Sequence, residues 1–71
     1  MDYGKIFAQN MRRIRLAKGL SQEDLGETSG LTRNYIGNIE RRENSPSLQS
    51  MEAIADALRV SLLDLLAADE A

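Results

Sequence analysis

Apolar residues along this chain recur at intervals of three and four, and no stretch alternates β-branched with polar residues as a strand would. The pattern predicts an all-α fold of five short helices joined by short turns. Phe7, Met11 and Ile14 mark one face of a first helix over residues 3–18, with Gly19 as its stop. Ser21 and Asp24 have the spacing of a capping box for a second helix that ends at Gly30, flanked by Leu20 and Leu25 at hydrophobic-staple spacing. Leu31 and Ile36 repeat that spacing around Thr32, the cap of a third helix reaching about Arg41. Pro46 and Ser47 open a fourth, which runs to about Leu58 with Met51, Ile54, Ala55 and Leu58 inward. Ser61 with Asp64 forms another capping box, and Val60 with Leu65 another staple, ahead of a fifth helix, "LLDLLAA". The tail "DEA" is expected to fray. These apolar positions, with Ile39, Leu48 and Leu62, make up the expected core.

Composition narrows the chemistry. The 71 residues suit a single domain spanning 1–71, without repeats or linkers and of modest stability. There is no Cys and no His, which excludes a disulfide framework, a Cys/His metal site and thiol or His-activated nucleophilic catalysis. No enzyme, cofactor or metal is expected. No run of 18 apolar residues occurs and no signal-like segment opens the chain, so no membrane association and a cytoplasmic location are expected.

The net charge of −2 argues by itself against a nucleic-acid partner, but its distribution does not. Residues 1–45 carry 8 basic and 6 acidic side chains, whereas residues 46–71 set Arg59 against 5 acidic ones. The polar third helix lies in the basic part. With the second helix it makes two short capped helices around a tight Gly-containing turn, the arrangement of a helix-turn-helix over about residues 21–41. Gly26 falls where the two helices would cross closely, and Leu31 plugs the turn. Ile36 and Ile39 take the third helix's inner face, so Arg33, Asn34, Asn38 and Arg41 face outward. Arg pairs bidentately with guanine in the major groove and Asn with adenine. On an isolated helix the same residues would be an ordinary solvated face. Arg12 and Arg13 read as exposed helix charges.

The segments "RLAKGLSQEDL", "GLTRNYIGNIE" and "PSLQSMEAIADALRVSLLDLL" follow one another as in the phage-repressor and Cro type of helix-turn-helix, the xenobiotic-response-element family, which the chain resembles from about Arg12 to Leu66. "RNYIG" and the small size are similar to the controller proteins of restriction–modification systems. The resemblance implies a five-helix lambda-repressor-like domain acting on double-stranded DNA. It implies base contacts from Thr32, Arg33, Asn34, Tyr35 and Asn38. It implies phosphate contacts from Gln22 beside Ser21, and from the loop after the third helix, through Arg41, Arg42, Asn44 and Ser47. Arg15 and Glu40 correspond to a buried ion pair joining the first and third helices. Gly26 and Gly37 depart from the family pattern, which often has Ala and a small polar residue there.

Leu63 and Leu66 point away from the core-facing Leu62 and Leu65, and make the expected homodimer interface. The expectation is a sequence-specific transcriptional regulator binding a near-palindromic operator as a homodimer. The alternative is an antitoxin- or adaptor-type module of the same fold, whose acidic C-terminal part binds a protein partner.

Overall fold

Five helices form in the computed structural model, which describes residues 1–68: α1 (Tyr3–Ala17), α2 (Gln22–Ser29), α3 (Arg33–Glu40), α4 (Leu48–Leu58) and α5 (Leu62–Leu66). The expectation for the "DEA" tail lies outside the described residues.

Each helix begins at a side-chain oxygen that accepts the N–H of its third residue: Asp2, Ser21, Thr32, Ser47 and Ser61. Both expected capping boxes form. The backbone N–H of Ser21, then its hydroxyl, holds the Asp24 carboxyl below the usual aspartate range, and Ser61 does the same for Asp64. Asp2 is lowered chiefly by the N–H of Lys5.

The ends of α1 to α4 use left-handed residues. Gly30 closes α2 at φ 74° without strain. After α3 and α4 the same job falls to Arg42 (φ 62°) and Arg59 (φ 59°). Each of these ends is a Schellman turn: Glu43 donates back to the Asn38 carbonyl and Val60 to that of Ala55. A side chain at such a φ costs about 1–2 kcal/mol relative to the right-handed region. Arg59→Gly should therefore raise stability by about 0.5–1 kcal/mol, a few degrees in melting temperature for a chain of this size. Thermal melting followed by circular dichroism checks this, and an unchanged or lower midpoint would show that the Arg59 side chain offsets its own strain.

Phe7, Met11, Leu25, Ile36, Ile39, Ile54, Leu58 and Leu65 are fully enclosed, and Ile14, Leu20, Leu31, Met51, Val60 and Leu62 pack against them partly buried. The helix α1 lies against α5, α3 and α4, while α2 lies against α3 and α4. Leu48 corrects the expected core, being 60% exposed. It is the first residue of α4, and a helical side chain leans toward the N-terminus, here past the Ser47 cap and away from the stripe that starts at Met51.

The fifth helix is also shorter than expected, because Ala67 is already extended. Asn10 explains the stop. This buried residue of α1 donates through Nδ2 to the carbonyls of both Leu65 and Ala67, each at 2.9 Å. It thus satisfies acceptors that the helix end leaves open and ties α5 to α1.

Candidate nucleic-acid interface

The crossing of α2 and α3 depends on Gly26. A Cβ there would come within 3.0 Å of the Arg33 nitrogen and 3.1 Å of the Thr32 carbonyl carbon, both backbone atoms. The close approach lays the start of α2 beside the outer face of α3. Gln22, Thr32, Arg33, Asn34, Gly37 and Arg41 then line one cleft of about 400 Å³. Six residues from two helices and a turn are thereby gathered on one side of the molecule, with Thr32, Arg33, Asn34 and Arg41 exposed.

Beneath this surface is the Arg15–Glu40 pair. Arg15 Nε and Nη2 donate to the two Glu40 carboxylate oxygens at 2.8 and 2.9 Å, and Nη1 donates to the Leu20 carbonyl at 2.8 Å. Both side chains are more than 90% buried, so one guanidinium joins α1, the α1–α2 link and α3. Glu40 Oε1 also accepts from Gln22 Nε2 at 3.1 Å. A carboxylate only accepts, which fixes the Gln22 carboxamide with its nitrogen inward and Oε1 toward Gly37. What Gln22 has left for an anion is its second amide hydrogen and its backbone N–H at the start of α2.

The other expected contact residues are placed as follows. Tyr35 is half-buried against the core, and its hydroxyl donates to Ser50 Oγ at 3.2 Å. Asn38 is half-buried, with Oδ1 accepting from Arg41 Nη2 at 2.6 Å. Arg41 Nε in turn meets Glu43 Oε1 at 3.1 Å. Arg42 pairs with Asp2 at 3.0 Å, linking the loop after α3 to the start of α1. Ser21 and Ser47 are exposed caps and Asn44 is exposed in the loop.

A second, basic cleft of about 510 Å³ runs between α1 and the end of α3, lined by Lys5, Gln9, Arg12, Arg13 and Arg42 among others. Arg12 and Arg13 therefore stand beside Lys5 and Arg42 on this cleft, whose lining also includes Glu40. The Asp2–Arg42 link, the Gln22–Glu40 bond and the Asn10 anchor were not anticipated. Asn10 alone left a trace in the sequence, as a polar residue at helical spacing within the stripe of Phe7, Met11 and Ile14.

The helix-turn-helix family profile matches residues 11–65, from the middle of α1 to α5. The chain belongs to the helix-turn-helix family. Within the family it resembles restriction–modification controller proteins. It is 46% identical over 66 residues to the control protein C.SmaI of Serratia marcescens, covering 93% of this chain and 79% of that protein. The controller protein C.AhdI of Aeromonas hydrophila superposes with a TM-score of 0.84 at 42% identity, covering 87% of this chain and 94% of that one. The hypothetical transcription factor NHTF of Neisseria gives a TM-score of 0.88 at 39% identity, over 93% of this chain and 76% of the other. The helix-turn-helix here is α2–turn–α3, and the cleft lies on its outer side.

Proposed function

We propose that this helix-turn-helix protein is a sequence-specific transcriptional regulator that binds a near-palindromic operator as a homodimer, each α3 entering a major groove. The observation that carries the reading is the single cleft shared by the start of α2 and the outer face of α3, rimmed by exposed Arg33 and Asn34. Arg33, Asn34, Asn38 and Thr32 are the proposed base readers, with Tyr35 held at their edge by Ser50. Contacts to phosphate come from the α2 N-terminus at Ser21 and Gln22, and from the loop of Arg42, Asn44 and Ser47. Phosphate contacts provide register and much of the affinity, and base contacts the choice of sequence. The names of the relatives, a control protein and a hypothetical transcription factor among them, support the same reading.

Selection of bound sites from random duplex DNA, followed by binding measurements on Arg33→Ala, tests this. Arg33 is exposed, so the variant should melt with the parent yet lose about 1–3 kcal/mol on the selected site. Full affinity in the variant would remove α3 as the reading element.

A further inference from the structure

With α3 in a major groove, Asn38 is placed to read a base edge, and a free asparagine carboxamide matches adenine by accepting from N6 and donating to N7. Asn38 is not free. Arg41 Nη2 stands 2.6 Å from its Oδ1. A guanidinium has no acceptor, so the atom that faces it must be the oxygen. That bond takes one of the two lone pairs of Oδ1, and a donor sent to the other, such as adenine N6, meets the guanidinium's own N–H groups, whereas Nδ2 keeps its hydrogens for an acceptor.

Several features hold this arrangement in place. The main-chain carbonyl of Asn38 accepts from the N–H groups of Glu43 (2.8 Å) and Asn44 (3.3 Å), which folds the loop back onto residue 38. The Glu43 carboxylate then takes Arg41 Nε at 3.1 and 3.3 Å and gives the guanidinium a second anchor. Gly37 supplies the space, since a Cβ there would stand only 3.0 Å from Arg41 Nη1. Glu43 also offsets the charge of Arg41, which weakens it as a phosphate clamp while leaving its remaining N–H groups as donors.

We propose that Arg41 is a positioning residue that sets base preference: it holds the Asn38 carboxamide with Oδ1 engaged and Nδ2 left to donate, which favours guanine over adenine. Guanine offers two acceptors, O6 and N7, where adenine presents a donor at N6. The inference rests on the proposed reading of α3 as the DNA-contacting helix.

Sites are selected from random duplex DNA with the parent, Asn38→Ala and Arg41→Met, each checked for folding by thermal melting. Asn38→Ala marks the position read by residue 38 as the one whose preference disappears. The parent is expected to select guanine there. Arg41→Met is expected to swing the guanine-to-adenine ratio by roughly tenfold or more toward adenine, with other positions unchanged. Three results overturn the proposal: adenine at that position in the parent, guanine kept by Arg41→Met while affinity falls for every sequence, or no position altered by Asn38→Ala. The second would make Arg41 a phosphate contact. In all three the remaining positions still carry a preference, so the DNA-binding reading survives. A parent that enriches no sequence defeats that reading, and the Arg41 proposal with it.

Discussion

Arg15→Ala should lower the unfolding free energy by about 3–5 kcal/mol, the usual cost of stripping one partner from a buried ion pair. Glu40 would be left as a carboxylate enclosed to more than 90%, keeping only its bond from Gln22. The Leu20 carbonyl would lose its donor as well. Domains of this class have about 5–15 kcal/mol in all, and each kcal/mol moves the midpoint by about 4–8 °C at this length. Thermal and urea unfolding should thus show a fall well beyond 10 °C. Replacing both partners with apolar residues, as in Arg15→Met with Glu40→Leu, should recover most of the loss, because no charge is then stranded. A stable Arg15→Ala that fails only on DNA would mean that Arg15 serves as a phosphate contact.

The second large effect concerns assembly. One small domain makes few base contacts, too few to single out one site in a genome, whereas a two-fold pair doubles them. Such a pair sets half-sites about 34–36 Å apart or a multiple of that. Leu63 is 79% exposed on α5, with little cost to the fold if it becomes polar. Leu66 is different: it packs partly buried against the core and lines an apolar cleft of about 440 Å³ with Tyr3, Phe7, Pro46 and Met51. Its own contribution to a dimer would therefore be an edge, with Leu63 as the protruding contact. Leu63→Asp should yield a folded monomer whose binding to the selected palindrome weakens far more than its binding to random DNA, since only the specific mode engages both α3 helices. Sedimentation over micromolar concentrations with parallel binding assays checks this. A monomeric parent, or a mutant that still dimerises, places the interface elsewhere.

Much of the fold is local in origin, and local signals are written in the sequence. The caps at Ser21, Thr32, Ser47 and Ser61 act over three residues, and the apolar stripes over three or four. Each helix start could therefore be read in place, and so could the helix-turn-helix, whose crossing glycine and plug residue lie within one short segment. The outward set on α3 follows from the same periodicity, once Ile36 and Ile39 claim the inner face.

What the sequence did not settle depends on contacts between distant residues. Leu48 continues the α4 stripe by spacing, but only the packed helices reveal that the position overhangs into solvent. The length of α5 was set by Asn10, 55 residues away from Leu65, through a hydrogen bond that no periodicity encodes. Arg33, Asn34 and Arg41 were legible as one outer face of α3 and Gln22 as a separate residue opening α2; the fold makes them the walls of one cleft and aims the Gln22 carboxamide by way of Glu40. By itself, then, the sequence determined where the five helices start, most of the face each one buries and which side chains α3 presents, because those properties follow from backbone geometry and nearby neighbours. Tertiary structure alone decided which hydrogen-bonding atoms those side chains leave free, because that depends on the partners that folding brings within about 3 Å.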